Sequence, residues 1–459
     1  MSVFSLSNLK KTWYYLQKNG IRNAVWAVLE RIGQEQEVYT WQEPDEKTLS
    51  FQREHSASLR ISIVVPAYRT KKEHLEAMLN SVSKQSYPHW ELIVADAGGT
   101  AESVQAWAKK NGICLREAAD ASNLAEWKDQ SIMLCTLSEN KGISANTNAG
   151  IELAAGDAVG LLDHDDLLTA NALWEMADCL EKEKKRGKQK LVLFSDEDKC
   201  DGAASRFYEP NFKPDFDGEL LLTNNYICHF TVIETAFLKE LKLRSGFDGA
   251  QDYDLMLRAY AAGGQFVHVP KVLYHWRCHE ASTASNPQSK RYAYEAGQRA
   301  LEDYCLRKGW KATVSGLKHL GFYREDYEDS VFCQRPEIGI WAKPLPGGRD
   351  IFGIRHPKGF LVSGLYENDG LMRYAGLRKG YSGPMHRAAL QQSAPAADLR
   401  SMEVCSALKE RYAQTIAELK EACQGLPTAA QETKILQKSM EFCKEATAAG
   451  YGILWDPQA

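Results

Sequence analysis

The sequence predicts an α/β protein with a mostly parallel sheet, and three observations predict it. Strand-sized apolar runs recur at residues 61–65, 91–95, 132–137 and 158–162. Stretches of helical periodicity separate them, as βαβ units require. Acids and glycines cluster where the runs end, and open parallel sheets bind ligands at the carboxyl ends of their strands. The chain has 459 residues, enough for about three domains at roughly 150 residues each. With 44% hydrophobic and 25% charged residues, it has the composition of a folded chain rather than a disordered one. A formal charge of −4 lacks the basic excess of a dedicated nucleic-acid binder, so no nucleic-acid partner is expected.

In chain order, residues 1–59 are expected to form amphipathic helices and a linker. Phe4, Leu9, Trp13, Leu16, Ile21, Val25 and Val28 recur at roughly helical spacing among Lys10, Lys11, Lys18 and Arg22. Such a basic amphipathic block suits either an anionic membrane surface or the flank of the protein's own catalytic domain. The run 61–65 then reads as a buried strand ending at Pro66. Residues 74–84 read as a helix with Leu75, Met78, Leu79 and Val82 on one face. Helices are expected again at 102–110, 143–155, 170–182, 253–262 and 290–308. Further strands are expected at 191–194, 230–233, 266–269, 272–276, 312–314 and 338–342. From residue 400 the composition is Ala-, Glu-, Lys- and Leu-rich and helical, which marks a C-terminal accessory module over 326–459. No apolar run reaches the ~18–20 residues that cross a bilayer. Eleven cysteines without a Cys-x-x-Cys pair indicate neither a zinc site nor a redox motif, and scattered thiols suit a reducing compartment. With no signal-type apolar segment, the expected location is cytoplasmic, with peripheral contact at the inner membrane face through residues 1–35.

The densest chemistry lies in Leu161-Leu162-Asp163-His164-Asp165-Asp166. Packed like charges repel unless a cation separates them, and Mg²⁺ binds one or two carboxylates and completes its shell with phosphate oxygens. A polar turn that caps the following helix through Asp166 or Thr169 is the plain alternative. Asp96 closes the second strand, where an acid can accept hydrogen bonds from a nucleotide, although Gly-x-Gly-x-x-Gly and Walker motifs are both missing. Gly142, in Asn140-Lys141-Gly142, precedes a helix whose free N–H groups suit an anion. Asp252 sits at a helix start, where it is either a cap or an ionised base.

Pro66-Ala67-Tyr68, Ala95-Asp96, Asn140-Lys141-Gly142 and Gly160-Leu161-Leu162-Asp163-His164-Asp165-Asp166, in this order, resemble glycosyltransferase family 2. The resemblance covers about residues 60–315 and implies a GT-A domain over 60–325, a Rossmann-like mixed sheet. It implies an inverting, metal-dependent transfer from a nucleotide-diphosphate sugar, UDP- or dTDP-linked, to a glycan or lipid-linked glycan in surface-polysaccharide synthesis. Pro66, Ala67, Tyr68, Asp96, Asn140, Lys141, Gly142 and Asp163 then stand at nucleotide-binding positions. Asp163, Asp165 and His275 stand at positions that hold Mg²⁺ or Mn²⁺. Asp252 matches the catalytic base. The family often has a second acid after the first at Asp96, where this chain has Ala97, and its acid pair begins with Glu where this chain has Gln251. Asp196, Glu197, Gln251, Trp276 and Arg277 are expected on the donor or acceptor side, with Arg277 neutralising the leaving diphosphate. The region beyond 380 resembles the tail of two-part enzymes of the same branch. An inactive sugar-nucleotide binder or scaffold, and a related nucleotidyltransferase, are the alternative readings.

Overall fold

The structure is a computed structural model that describes residues 39–118, 128–278, 291–317, 320–342, 372–373, 402–422, 438 and 441–455. The expected amphipathic block at 1–35 and the segment beyond 380 up to residue 401 lie outside the described residues.

Ten strands form one sheet. They are β1 (Ile61–Ala67), β2 (Trp90–Asp96), β3 (Cys114–Ala118), β4 (Ser131–Thr136), β5 (Ala158–Leu161), β6 (Leu167–Leu168), β7 (Leu191–Asp201), β8 (Phe207–Asn211), β9 (Thr231–Glu234) and β10 (Gln265–Cys278). Their order is β3-β4-β2-β1-β5-β9-β7-β10-β6, with β8 paired to β7. β1 runs parallel to β2 and β5, whereas β9 enters antiparallel between β5 and β7. This mixed sheet, with helices on both faces, is the α/β architecture that the sequence predicts.

The alternation of β1 explains why the sheet is central. Ile61, Ile63, Val65 and Ala67 face one core with Leu75, Met78, Leu79 and Val82 of α2 (Lys72–Ser83). Val64 faces the other core with Ile151 of α4 (Ile143–Leu153). Side chains alternate across a strand, and a sheet covered on both faces needs apolar residues at every position. Helices α3 (Ala101–Asn111) and α5 (Ala172–Lys185) join the first layer. On the second face lie α6 (Gly218–Thr223), α7 (Thr235–Leu241), α8 (Gln251–Ala261) and α9 (Arg291–Lys308). Helix α1 (Glu46–Glu54) precedes the sheet, capped by Asp45.

Three differences from the sequence expectations bear on the site. The strand expected at 191–194 is longer, because β7 continues through the polar stretch 195–199 to Asp201 against β10. The two short strands expected at 266–276 are one long β10. Its register shifts between Val269 and Val272, where Pro270 has no N–H to give the ladder. The expected boundary at 325 cuts a hairpin formed by β11 (Ala312–Gly316) and β12 (Tyr323–Tyr327). Beyond it, the buried Arg335 guanidinium grips Glu219 of α6 through two bonds of 2.7 and 2.5 Å, so the chain stays attached to the catalytic body past residue 325. The C-terminal region also holds a sheet, ordered β14-β16-β13-β15, formed by β13 (Ile338–Ala342), β14 (Met372–Arg373), β15 (Met402–Val404) and β16 (Gly452–Trp455). Helices Ser406–Arg411 and Ala413–Ala422 accompany it. Among the described residues no helix is long and apolar enough to cross a membrane.

Candidate active site

The acidic turn follows β5 directly. Asp163, His164 and Asp165 are partly exposed, while Asp166 is buried. Asp166 accepts from Tyr274 Oη at 2.5 Å and from the Arg277 backbone N–H at 2.7 Å. Its carboxyl is pushed well above the usual range, first by burial and then by the charges of Asp165 and Asp163. Helix α5 takes Asn171 as its N-cap, so neither Asp166 nor Thr169 serves as the cap. Arg277 is 2% exposed; its Nε donates to the Asp165 carbonyl at 2.5 Å and its Nη1 to the Gly202 carbonyl at 2.8 Å. The expectation that it meets a leaving diphosphate is corrected: β10 carries it inside, where it braces the turn that presents Asp163 and Asp165.

Helix α8 places Asp252 in its first turn, partly buried. The neighbouring Gln251 accepts from the Gly249 N–H at 2.8 Å and turns its amide N–H onto both Asp252 oxygens at 3.3 Å. Gln251 thus braces the Asp252 carboxylate without adding a second charge. Burial lifts the Asp252 carboxyl from 3.8 to about 6; the charge of Asp163 adds to the rise, and His229 and Gln251 oppose it. A carboxylate poised there is suited to accept a proton near neutral pH.

Sheet register brings in a residue that the sequence did not single out. Leu161 of β5 pairs with Thr231 of β9, so the residues flanking β9 on its N-terminal side meet the acidic turn. His229 lies there. Its backbone N–H donates to Glu197 at 2.7 Å, and its Nδ1 lies 3.3 Å from the same carboxylate oxygen. Its ring stacks on Tyr274 at 5.1 Å and tilts against Trp276 at 5.7 Å. Burial opposes the ring's charge, but Glu197, then Asp163 and Asp252, lift it to about 9. Burial likewise works against ionised Glu197, yet Lys213 and His229 hold its carboxyl down at about 2. The fully buried Lys213 ammonium donates to the carbonyls of Ile227 (2.8 Å) and His229, which fixes this segment. A lone histidine ahead of a strand, with no acid beside it in sequence, gives no signal of this cluster.

Glu197 therefore reaches the site through His229, whereas Asp196 does not line it. Asp196 is turned inward to accept from the Lys213 backbone N–H at 2.8 Å and lies 2.8 Å from His268 Nε2. The expected donor or acceptor role of Asp196 is corrected, because strand alternation sends the two acids to opposite sides.

Among the residues expected to bind the nucleotide, Tyr68 is 41% exposed just beyond β1 and lies beside Gly98. The Ala97 and Arg69 N–H groups bond to Ala67 (2.8 Å) and Gly98 (2.9 Å) carbonyls, joining the loops after β1 and β2. Pro66 is partly exposed and Ala67 buried in this junction. Asp96 is only 1% exposed and accepts from the N–H groups of Gly98 (3.0 Å), Thr100 (3.2 Å) and Ala101 (2.8 Å). It holds the turn into α3, and the expected direct base contact is corrected to this supporting role. Asn140 braces the next loop by accepting from Gly142 N–H (3.0 Å) and Asn146 Nδ2 (2.9 Å); the Lys141 ammonium is exposed beside Glu139. The N-terminus of α4 already has an anion: Asp248 accepts from Ser144 N–H at 3.3 Å and lies where a Cβ on Gly142, at φ +95°, would stand. The expected diphosphate seat at that helix start is thus filled by the chain's own carboxylate.

The three expected metal ligands are not gathered. His275 is 3% exposed, its Nδ1 lies 2.5 Å from Asp198, and its ring packs against Phe207 (4.3 Å) and Trp41 (4.9 Å). Asp198 is also bonded by Tyr39 Oη at 2.7 Å. Among the described residues no three His, Cys, Asp or Glu side chains converge to hold a metal. The Asp163, Asp165, His275 set is corrected to the carboxylate pair, because His275, bonded to Asp198 and packed between Phe207 and Trp41, belongs to the β7–β10 seam. The pair itself fits a hard divalent ion, which takes one or two carboxylates and draws its other oxygens from phosphate and water.

At this end of the sheet, the carboxylate on α8 and the acidic turn after β5 both act on the His229 ring, an arrangement suited to group transfer. Residues 62–241 match the model described as "Glycosyl transferase family 2". The chain is 36% identical over 255 residues to the uncharacterized protein y4gI of Sinorhizobium fredii (strain NBRC 101917 / NGR234), covering 55% of this chain and 26% of that protein. It is 34% identical over 256 residues to the O-antigen biosynthesis protein RfbC of Myxococcus xanthus, covering 56% and 19%. It is 28% identical over 232 residues to the amylovoran biosynthesis glycosyltransferase AmsB of Erwinia amylovora, covering 47% and 70%. The chain thus spans about a quarter or less of the first two relatives. A crystal structure of S. aureus TarS 1-349 aligns over 54% of this chain and 66% of that chain, at 19% identity and a TM-score of 0.39.

Proposed function

We propose that the chain is an inverting glycosyltransferase that moves a sugar from a UDP- or dTDP-linked donor to a glycan or lipid-linked glycan of the cell surface. The observation that carries this reading is Asp252: a partly buried carboxylate, lifted to about 6 and braced by Gln251, in a chain whose residues 62–241 match the family 2 model. In a single displacement, Asp252 takes the proton of the acceptor hydroxyl as that oxygen attacks the anomeric carbon and the bond to the diphosphate breaks. Tyr68 offers an exposed ring to the base, and the Asn140–Gly142 loop borders the ribose side. Asp163 and Asp165 are the residues to hold Mg²⁺ or Mn²⁺ with the diphosphate oxygens. An ion bound there supplies Lewis-acid stabilisation of the leaving group. Cytoplasmic placement and an acceptor at the inner membrane face belong to the same reading. The names of RfbC and AmsB support surface polysaccharide as the product class.

The test is release of nucleoside diphosphate by the full chain from a panel of UDP- and dTDP-sugars with Mn²⁺, run beside Asp252→Asn. The expected result is turnover by the wild type, with turnover lost and nucleotide binding retained in the variant. If no donor is turned over and no nucleotide raises the melting temperature, the reading fails.

A further inference from the structure

We propose that His229 is a catalytic residue of the transfer, contacting the donor's diphosphate between Asp163 and Asp252 and stabilising the charge that builds on it as the sugar leaves. This rests on the glycosyltransferase reading above and adds a residue that neither the family match nor the sequence motifs point to.

Five observations place it. The β5–β9 register, with Leu161 opposite Thr231, brings His229 to the end of the sheet that carries Asp163. Glu197 holds the backbone N–H and Nδ1 of His229, and the carboxylate is 6% exposed, so its counter-charge is protein-bound rather than solvent. Stacking on Tyr274 fixes the plane of the ring, and Tyr274 in turn bonds Asp166 of the acidic turn. With Nδ1 engaged, Nε2 is the remaining polar atom of the ring, and it has no hydrogen-bond partner among the described residues. Buried Lys213 holds the 227 and 229 carbonyls, so the segment is supported from behind.

Of the other residues expected near the diphosphate, Arg277 braces the acidic turn from inside through Nε and Nη1, with Nη2 left without a partner, and His275 turns Nδ1 onto Asp198 in the β7–β10 seam. His229 is set apart by its neighbours, since Asp163 and Asp252 both act on its ring. Its counter-ion is a carboxylate, so it enters the reaction as a charged donor aimed at an anion. In the transfer, the acceptor oxygen bonds to the anomeric carbon, the carbon–phosphate-oxygen bond breaks with its electron pair, and Asp252 takes the acceptor proton. His229 keeps its own proton and donates a hydrogen bond to the phosphate oxygen. Charge-assisted donors of this kind are stronger than neutral ones and act most where charge develops.

The test is calorimetric binding of UDP, dTDP and the matching nucleosides to the wild-type full chain, to His229→Gln and to Glu197→Gln, alongside donor turnover. For the nucleotide that the wild type binds, His229→Gln is expected to weaken diphosphate affinity about tenfold or more, with nucleoside affinity unchanged. It is also expected to lower kcat more than it raises KM. Glu197→Gln, which keeps the ring and removes its counter-charge, is expected to shift the same quantities in the same direction. If it alone folds, it decides the matter. If the wild type binds the diphosphate and turns donor over, but the folded variants bind it as the wild type does, the His229 assignment is overturned and the glycosyltransferase reading stands. If the wild type binds and turns over nothing, the underlying reading falls.

Discussion

Replacing Asp252 with Asn tests the site through stability as well as activity. Burial raises the carboxyl from 3.8 to about 6, so the native state resists ionising a group that ionises readily in the unfolded chain. A folded-state pKa above the unfolded one stabilises below pH ~3.8, and that stability is lost as pH rises through about 6. At about 1.4 kcal/mol per pH unit of displacement, ionised Asp252 costs the native state on the order of 3 kcal/mol above pH 7. The asparagine is close in shape and carries no charge, so Asp252→Asn should melt about 5–10 °C above the wild type at pH 8, by the usual dependence for a domain of this size. The two curves should converge toward pH 4. Transfer should fall by about 10²–10⁴-fold, the ordinary contribution of a general base. The assays are thermal melts from pH 4 to 8 and nucleoside diphosphate release. A variant that keeps more than a tenth of the activity would refute the base assignment. One that melts no higher at pH 8 would refute the account of its burial.

Three further expectations follow from the same geometry. Gln251→Ala removes the amide held at 3.3 Å from both Asp252 oxygens and should lower kcat about tenfold at unchanged donor KM; equal kcat would show that the brace is idle. The pH profile of kcat/KM should rise through about 6 as Asp252 ionises and fall through about 9 as His229 loses its proton, and a flat profile between pH 5 and 8 would contradict the base. Away from the site, burial lifts the Glu325 carboxyl from 4.5 to about 8 and its Oε1 has no partner, so its stabilisation is lost as pH rises through about 8. Glu325→Gln should therefore raise the urea midpoint at pH 9 and leave it unchanged at pH 4; equal midpoints at both pH values would count against this.

Much of the catalytic sheet was legible because its strands are apolar on both faces and its helices carry one apolar stripe. The runs at 61–65 and 91–95 and the helix with Leu75, Met78, Leu79 and Val82 fall within β1, β2 and α2. Strand β3, with Arg116 and Glu117 interrupting its apolar residues, gave no such run and was missed. At the site, the position of Asp252 at a helix start and of Asp163 and Asp165 at a strand end could be read locally. The local reading went wrong where a polar residue's partner is distant in sequence. Asp96 turned onto its own loop, Asp248 filled the helix start at Gly142, and Arg277 and His275 were drawn inward along β10.

The order of apolar runs, and the acids that close them, was determined by sequence alone, since strand and helix periods and short turns are local properties. Which charges face one another was decided by tertiary structure alone. The antiparallel insertion of β9 beside β5 sets His229 by Asp163, and the extension of β7 sends Glu197 to His229 and Asp196 away from it. Register couples residues far apart in the chain, and an ion pair is fixed by distance in space, which a linear pattern does not carry.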